Sequence, residues 1–82
     1  MHNLPPTQYK HRRDLPSKAQ ILLNRVTLNL GDANKAQHNL ADLDEVCEIL
    51  SDHFGGAAHK IPKVWRRLLN GYINAATAIA NI

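Results

Sequence analysis

The sequence predicts an all-α fold, either a small three-helix bundle or a helical hairpin, that follows an extended basic N-terminal arm. Two observations predict it. Apolar residues recur at steps of three and four in three stretches, and glycines at Gly31 and Gly55-Gly56 separate these stretches. A chain of 82 residues makes one domain whose core stabilises the fold only modestly. We therefore expect a homodimer.

Residues 1–16 are predicted to be a flexible basic arm, and residues 17–82 a single helical domain. Three prolines in the arm resist helix formation, namely Pro5, Pro6 and Pro16. The arm also carries the cations Arg12 and Arg13.

The first predicted helix covers residues 18–30. The run SKAQ, residues 17–20, matches a capping box, in which the Ser17 oxygen accepts a backbone amide and the Gln20 side chain reaches back to the Ser17 amide. Apolar residues at helical spacing follow. Gly31 is expected to end the helix with a positive φ.

The second predicted helix covers residues 33–54 and has the clearest pattern. Its apolar residues alternate steps of three and four without a break, which is typical of a heptad seam. Gly55-Gly56 ends the helix, since glycine accepts left-handed backbone readily. We expect the seam to form either the core or the dimer contact, through Leu40, Leu43, Cys47, Leu50 and Phe54.

The third predicted helix covers residues 62–80 and begins at Pro62, a residue suited to a first helical turn. Trp65 lies in phase with the apolar face of this helix, so we interpret it as a core residue in preference to a platform for stacking a base. Gly71 interrupts the helix and indicates either close packing of a neighbouring helix or a bend.

Charge falls into three blocks along a chain whose net charge is +3. Residues 10–25 carry +4, residues 32–52 carry −5 and residues 60–67 carry +4. Complementary packing of neighbouring helices explains part of this pattern. The last block is different, because cations at the start of a helix add to the positive end of its macrodipole.

A negatively charged partner explains the last block, and three partners are open. They are the acidic face of the second helix, another subunit, and the phosphate of a nucleotide or nucleic acid. We expect the partner-binding residues to be Lys60, Lys63, Arg66 and Arg67, supported by Arg12 and Arg13.

Reactive constellations are not evident in the sequence, and we expect no enzyme, no cofactor and no metal. Asp44, Glu48 and Asp52 step by four along one helical face, which indicates a solvated face more than a cation site. The histidines lack the spacing of a zinc site. Cys47 lies in the seam and is interpreted as a small buried hydrophobe, not a nucleophile.

Location also follows from the composition. A single cysteine forms no internal disulfide, and the N-terminus lacks a secretory signal. The apolar runs are too short to cross a membrane. We expect a cytoplasmic protein.

Two resemblances to phage proteins are present. Residues 45–63, EVCEILSDHFGGAAHKIPK, resemble the segment of phage Mor/C-type transcription activators in which a helix ends in Gly-Gly before an Ile-Pro-basic step. In that family the segment mediates dimerisation, and a helix-turn-helix further on binds DNA. This chain ends at Ile82 without room for that unit, so the resemblance implies only a dimerising segment, Val46 to Lys63.

The second resemblance covers YKHRRDL, residues 9–15, and LLNRV, residues 22–26. These residues are similar to the N-terminal part of phage helical-hairpin proteins that sequester cyclic nucleotides. Their C-terminal motif is represented here only by Gly71-Tyr72-Ile73.

These observations predict a small non-enzymatic interaction protein, encoded by a phage, that binds and modulates a host protein in the host cytoplasm as an inhibitor or anti-defence factor. One alternative is a nucleic-acid-binding transcriptional regulator, whose affinity would fall steeply with salt. Another is a protein that sequesters a small anionic nucleotide.

Overall fold

The computed structural model describes residues 15–82, which form three α-helices and two short 3-10 turns and contain no strand. Helix α1 covers Ser17–Asn29, α2 covers Ala36–His53 and α3 covers Lys63–Ala80. The turns cover Ala33–Lys35 and Ala58–Lys60. The all-α prediction is confirmed. The arm cations Arg12 and Arg13 lie outside the described residues.

Helix α2 lies between the other two helices and packs against both of them. The core contains residues of all three helices, together with Leu15 and Ile61 from the segments that precede α1 and α3. Leu15 falls in the predicted arm, yet it is buried. Trp65 is buried as well, which confirms its interpretation as a core residue.

The start of α1 differs from the predicted capping box. Pro16 takes the capping position with extended backbone, and no side chain caps the helix. Ser17 is already helical, and a capping serine must be non-helical. The Gln20 side chain instead donates from Nε2 to the Leu15 carbonyl at 2.7 Å. This bond ties the first turn to the buried residue that precedes it.

The C-terminus of α1 is also capped differently from the prediction. The left-handed glycines of the described residues are Gly55 and Gly56, and Gly31 is not among them. The Asn29 carbonyl instead accepts the Asp32 amide at 3.0 Å and the Asn39 side-chain amide at 3.1 Å. These donors satisfy one of the carbonyls that a helix leaves open at its C-terminus.

The second predicted helix is divided into a 3-10 turn and α2. The Asp32 side chain accepts the Asn34 amide at 2.9 Å and so caps the turn. The fully buried stripe of α2 also steps by three and four, but it includes Asn39 and Val46 between the apolar positions of the predicted seam. Its members are Ala36, Asn39, Leu43, Val46 and Leu50.

The predicted seam residues therefore occupy two environments. Leu43 and Leu50 are fully buried inside the chain's own core. Leu40, Cys47 and Phe54 are half-buried and pack against its edge. Because α2 contacts a helix on each side, its apolar face is wider than one seam.

Gly55 and Gly56 adopt φ values of +114° and +88° after α2, as the Gly-Gly pair predicts. Only glycine takes such a conformation without strain. The chain turns here and continues through the second 3-10 turn to α3.

Gly71 is exposed, and within residues 15–82 a Cβ added to it would meet no atom outside its own helix backbone within 4 Å. The interpretation of close helix packing at Gly71 is therefore wrong. We expect Gly71→Ala to raise the free energy of unfolding by about 1 kcal/mol, because alanine has the higher helix propensity. Urea unfolding measures it. The same substitution at Gly56 is the control, and its positive φ should make Gly56→Ala destabilising by about 1–2 kcal/mol. A destabilising Gly71→Ala would contradict this assignment.

Candidate functional site

The cations at the start of α3 form an exposed surface, which we call the cationic face and define as Lys63, Arg66 and Arg67. Arg66 and Arg67 lie three and four residues after Lys63, so each of them is a neighbour of Lys63 on the helix surface. The first turn of α3 has no acidic residue and no side-chain cap. Within residues 15–82, no carboxylate forms an ion pair with any of them.

The acidic helix α2 directs part of its charge to α1 instead. Lys18 Nζ lies 2.7 Å from Glu45 Oε2. Arg25 donates from Nε and Nη2 to the two oxygens of Asp42, at 2.9 and 2.8 Å. This hydrogen bond and the charge of Asp42 raise the pKa of the Arg25 guanidinium. Complementary packing between α1 and α2 therefore accounts for part of the first two charge blocks.

Lys60 belongs to the predicted site, but its side chain lies against the glycine turn. A Cβ on Gly55 would lie 2.9 Å from Lys60 Cδ and 3.5 Å from its Nζ, so the lysine side chain passes over the glycine turn. This turn follows the C-terminus of α2, where the helix macrodipole is negative. The negative end of the α2 macrodipole therefore favours a cation at Lys60. Lys63 and Arg67 lie instead near the positive end of the α3 macrodipole.

Arg66 differs from its neighbours in direction. The sequence pattern places Arg66 opposite the buried stripe of α3. Arg66 directly follows the buried Trp65, however, and consecutive residues lie only about 100° apart around a helix. Arg66 lines a groove of about 180 Å³ between α2 and α3, together with Cys47, Ser51 and Leu69. Lys63 and Arg67 are the cations that face away from the core.

The carboxylates Asp44, Glu48 and Asp52 form an exposed row along α2, which we call the acidic row. They line a second groove, of about 590 Å³, with Cys47 and Ser51. None of the three forms an ion pair in the described part of the chain. From Leu15 onward, no three His, Cys, Asp or Glu side chains converge as a metal ligand set.

Sequence reasoning did not identify Ser51 and Asn70 as groove residues. Asn70 lines the same groove as Arg66 and lies four residues after it, on the same side of α3. That spacing was the available signal. Ser51 had no comparable signal, because its position depends on how α3 crosses α2.

Cys47 lines both grooves and is half-buried. Burial raises the pKa of its thiol, and the negative charge of Asp44 raises it further. The thiolate form is therefore disfavoured in the folded chain, which argues against a nucleophilic role at neutral pH.

We expect iodoacetamide to alkylate Cys47 at pH 8 more slowly in the folded protein than in urea, since unfolding restores the ordinary thiol pKa. Asp44→Asn should accelerate the reaction of the folded protein, but less than unfolding does, because burial is the larger cause. By linkage, the raised pKa favours the folded state below the unfolded-state pKa, and this contribution is lost as pH rises through the folded value. Equal rates in the two states would contradict this account.

No helix in the described part of the chain combines the length and the apolar character needed to span a bilayer. No protein-family model, curated protein or solved structure matches this chain.

Proposed function

We propose that this chain is a non-enzymatic interaction protein that binds an acidic surface of another protein through Lys63 and Arg67. The observation that carries the proposal is that both cations are exposed and have no ion-pair partner within residues 15–82. Cations beside the positive end of a macrodipole raise the energy of the free protein slightly. A carboxylate from a partner removes that cost.

The surface around these two cations favours a protein partner. Beyond Arg67 the exposed side of α3 continues with uncharged polar residues, Asn70 and Asn74. A short positive patch followed by amides suits a few carboxylates bordered by polar groups. Exposed charges of this kind act mainly through association rate and specificity. Binding should therefore weaken as salt is added.

The biological setting is part of the same proposal. The partner is a bacterial host protein in the cytoplasm, and the chain is a phage-encoded inhibitor or anti-defence factor that acts as a homodimer. The phage resemblances of residues 9–26 and 45–63 motivate this setting. The modest core expected for a chain of this length motivates the dimer.

Affinity capture from a bacterial lysate tests the proposal. We expect the wild type to retain a host protein that Lys63→Glu/Arg67→Glu does not retain. Lys18→Glu/Lys35→Glu makes the same change in net charge at positions outside α3 and should retain it. Adding salt should release the captured protein. Equal recovery by all three proteins would contradict the proposal.

A nucleic-acid-binding regulator is the second candidate, and one observation favours it. Lys63, Arg67, Asn70 and Asn74 follow one exposed side of α3 without a carboxylate. Basic side chains contact phosphates, and asparagine reads base edges in the major groove. Fluorescence titration of a labelled DNA duplex at low and high salt tests it. Absence of binding at low salt would remove this candidate.

A further inference from the structure

Residues of opposite charge border two adjoining grooves. Arg66 lines the groove between α2 and α3 from the α3 side, and the acidic row lines a neighbouring groove along α2. Cys47 and Ser51 line both grooves and so connect them. Ile61 and Leu69, which belong to the core, form part of the apolar lining.

These charges are separated and unpaired within the described residues. Glu48 lies one residue from Cys47, in the middle of the acidic row, and Arg66 lines the groove that Cys47 also lines. Neither residue forms an ion pair from Leu15 onward. The chain thus presents a positive and a negative rim on one surface, both open to solvent.

A surface with this pattern is complementary to itself. In a two-fold symmetric dimer each patch meets its own copy, so that residue i contacts residue j and j contacts i. A two-fold axis along the groove exchanges the two rims and places each opposite the rim of the other sign. The outer cations Lys63 and Arg67 would instead meet cations in such a contact and repel them.

We propose that a second copy of this chain docks on this groove, with Arg66 of each copy against Glu48 of the partner subunit. The contact covers the apolar lining and pairs Arg66 with one carboxylate of the acidic row. Glu48 lies between Cys47 and Ser51 in sequence, and these two residues line the groove with Arg66, so the two-fold axis would form the Arg66–Glu48 contact twice. This inference rests on the homodimer of the proposed function and gives that dimer its surface.

The dimer leaves the two cations of the proposed partner site free. Arg66 turns into the groove, while Lys63 and Arg67 lie on the outer side of α3. A dimer formed through the groove would present two such pairs of cations. Charge changes at Arg66 and at Lys63 therefore test different contacts.

Sedimentation velocity over a range of protein concentrations tests the inference, at low and at high salt. We expect a concentration-dependent dimer at low salt that weakens at high salt. Arg66→Glu and Glu48→Lys should each raise the dimer Kd about tenfold or more, since each dimer contains the contact twice. The double variant Arg66→Glu/Glu48→Lys should restore the dimer, because it exchanges the two charges.

Leu28→Glu is the control for a different dimer surface. Leu28 is 85% exposed on α1 and lines neither groove. We expect Leu28→Glu to dimerise like the wild type. The inference would be overturned if the wild type stayed monomeric, or if the single charge variants dimerised normally. It would also be overturned if the double variant did not restore the dimer, or if only Leu28→Glu abolished it.

Cys47 gives a second readout on the unaltered protein. Because it lines the groove, its alkylation should slow as the protein concentration rises and dimers form. A rate that does not change with concentration would count against docking at the groove. A monomer that still captures its host protein through Lys63 and Arg67 would overturn this inference alone, whereas a dimer that captures nothing would overturn the proposed partner site.

Discussion

Trp65→Ala is expected to lower the free energy of unfolding by about 3–5 kcal/mol. Trp65 is 3% exposed, and the core that surrounds it draws residues from all three helices. Its removal leaves a cavity in addition to the lost burial. Domains of this size have total stabilities of roughly 0.05–0.15 kcal/mol per residue, so this loss is comparable with the whole stability.

Circular dichroism during urea unfolding measures the effect, since the variant lacks the chain's one tryptophan and fluorescence is lost with it. Trp65→Phe is the matched control and should cost less, because phenylalanine refills part of the space. If Trp65→Ala unfolded at the same urea concentration as the wild type, Trp65 would not be a core residue.

Asn39→Asp is expected to be destabilising by about 3–5 kcal/mol at pH 7, the cost typical of a buried charge without a partner. Asn39 is 1% exposed and donates its amide to the Asn29 carbonyl at 3.1 Å. An aspartate at this position places a carboxylate against that carbonyl, where both groups only accept hydrogen bonds.

The effect should depend on pH. Burial raises the pKa of a carboxyl group, so the folded variant binds a proton more readily than the unfolded one. The penalty is absent below the unfolded pKa of about 3.9 and grows as pH rises toward the folded pKa. Urea unfolding at several pH values measures it. Asn74→Asp, at an exposed position of α3, should change stability by less than about 0.5 kcal/mol. Equal effects of the two variants would contradict the assigned role of Asn39.

Helical periodicity predicted the order and approximate extent of the three helices, because each buries one face against a neighbour. It did not predict how the helices begin and end. Ser17 had the right neighbours for a capping box, but Pro16 holds extended backbone one residue earlier and takes the capping position. Gly31 was available for a left-handed turn, but the side chain of Asn39 closes α1 from another helix. A contact between residues ten apart leaves no local signal.

The buried stripe of α2 shows a second limit of apolar periodicity. Asn39 occupies a core position although it is polar, because its amide has a partner there. Leu40 and Cys47 are more apolar, yet they lie at the edge of the core. Hydrophobicity alone cannot place an asparagine inside. The hydrogen bond that permits it depends on the packing of α1 against α2.

The charge blocks were evident in the sequence, but the pairing between them was not. The acidic block interacts with α1 through Lys18–Glu45 and Arg25–Asp42, and part of it remains unpaired within residues 15–82. Which cations meet which carboxylates depends on helix orientation. Helix orientation also separates Arg66 from Lys63 and Arg67. It places Arg66 at the groove and the other two cations on the outer surface.

The proposed partner site requires that Lys63, at the start of α3, is not neutralised by the acidic helix of its own chain. Carbodiimide coupling measures this, because it joins a lysine amine to a carboxylate only where the two already meet. In a mixture of isotope-labelled and unlabelled chains, the account predicts a link between Lys18 and Glu45 within one chain, and none between Lys63 and the acidic row. Coupling of Lys63 to Asp44, Glu48 or Asp52 of the same chain, in a yield like that of Lys18 to Glu45, would contradict it.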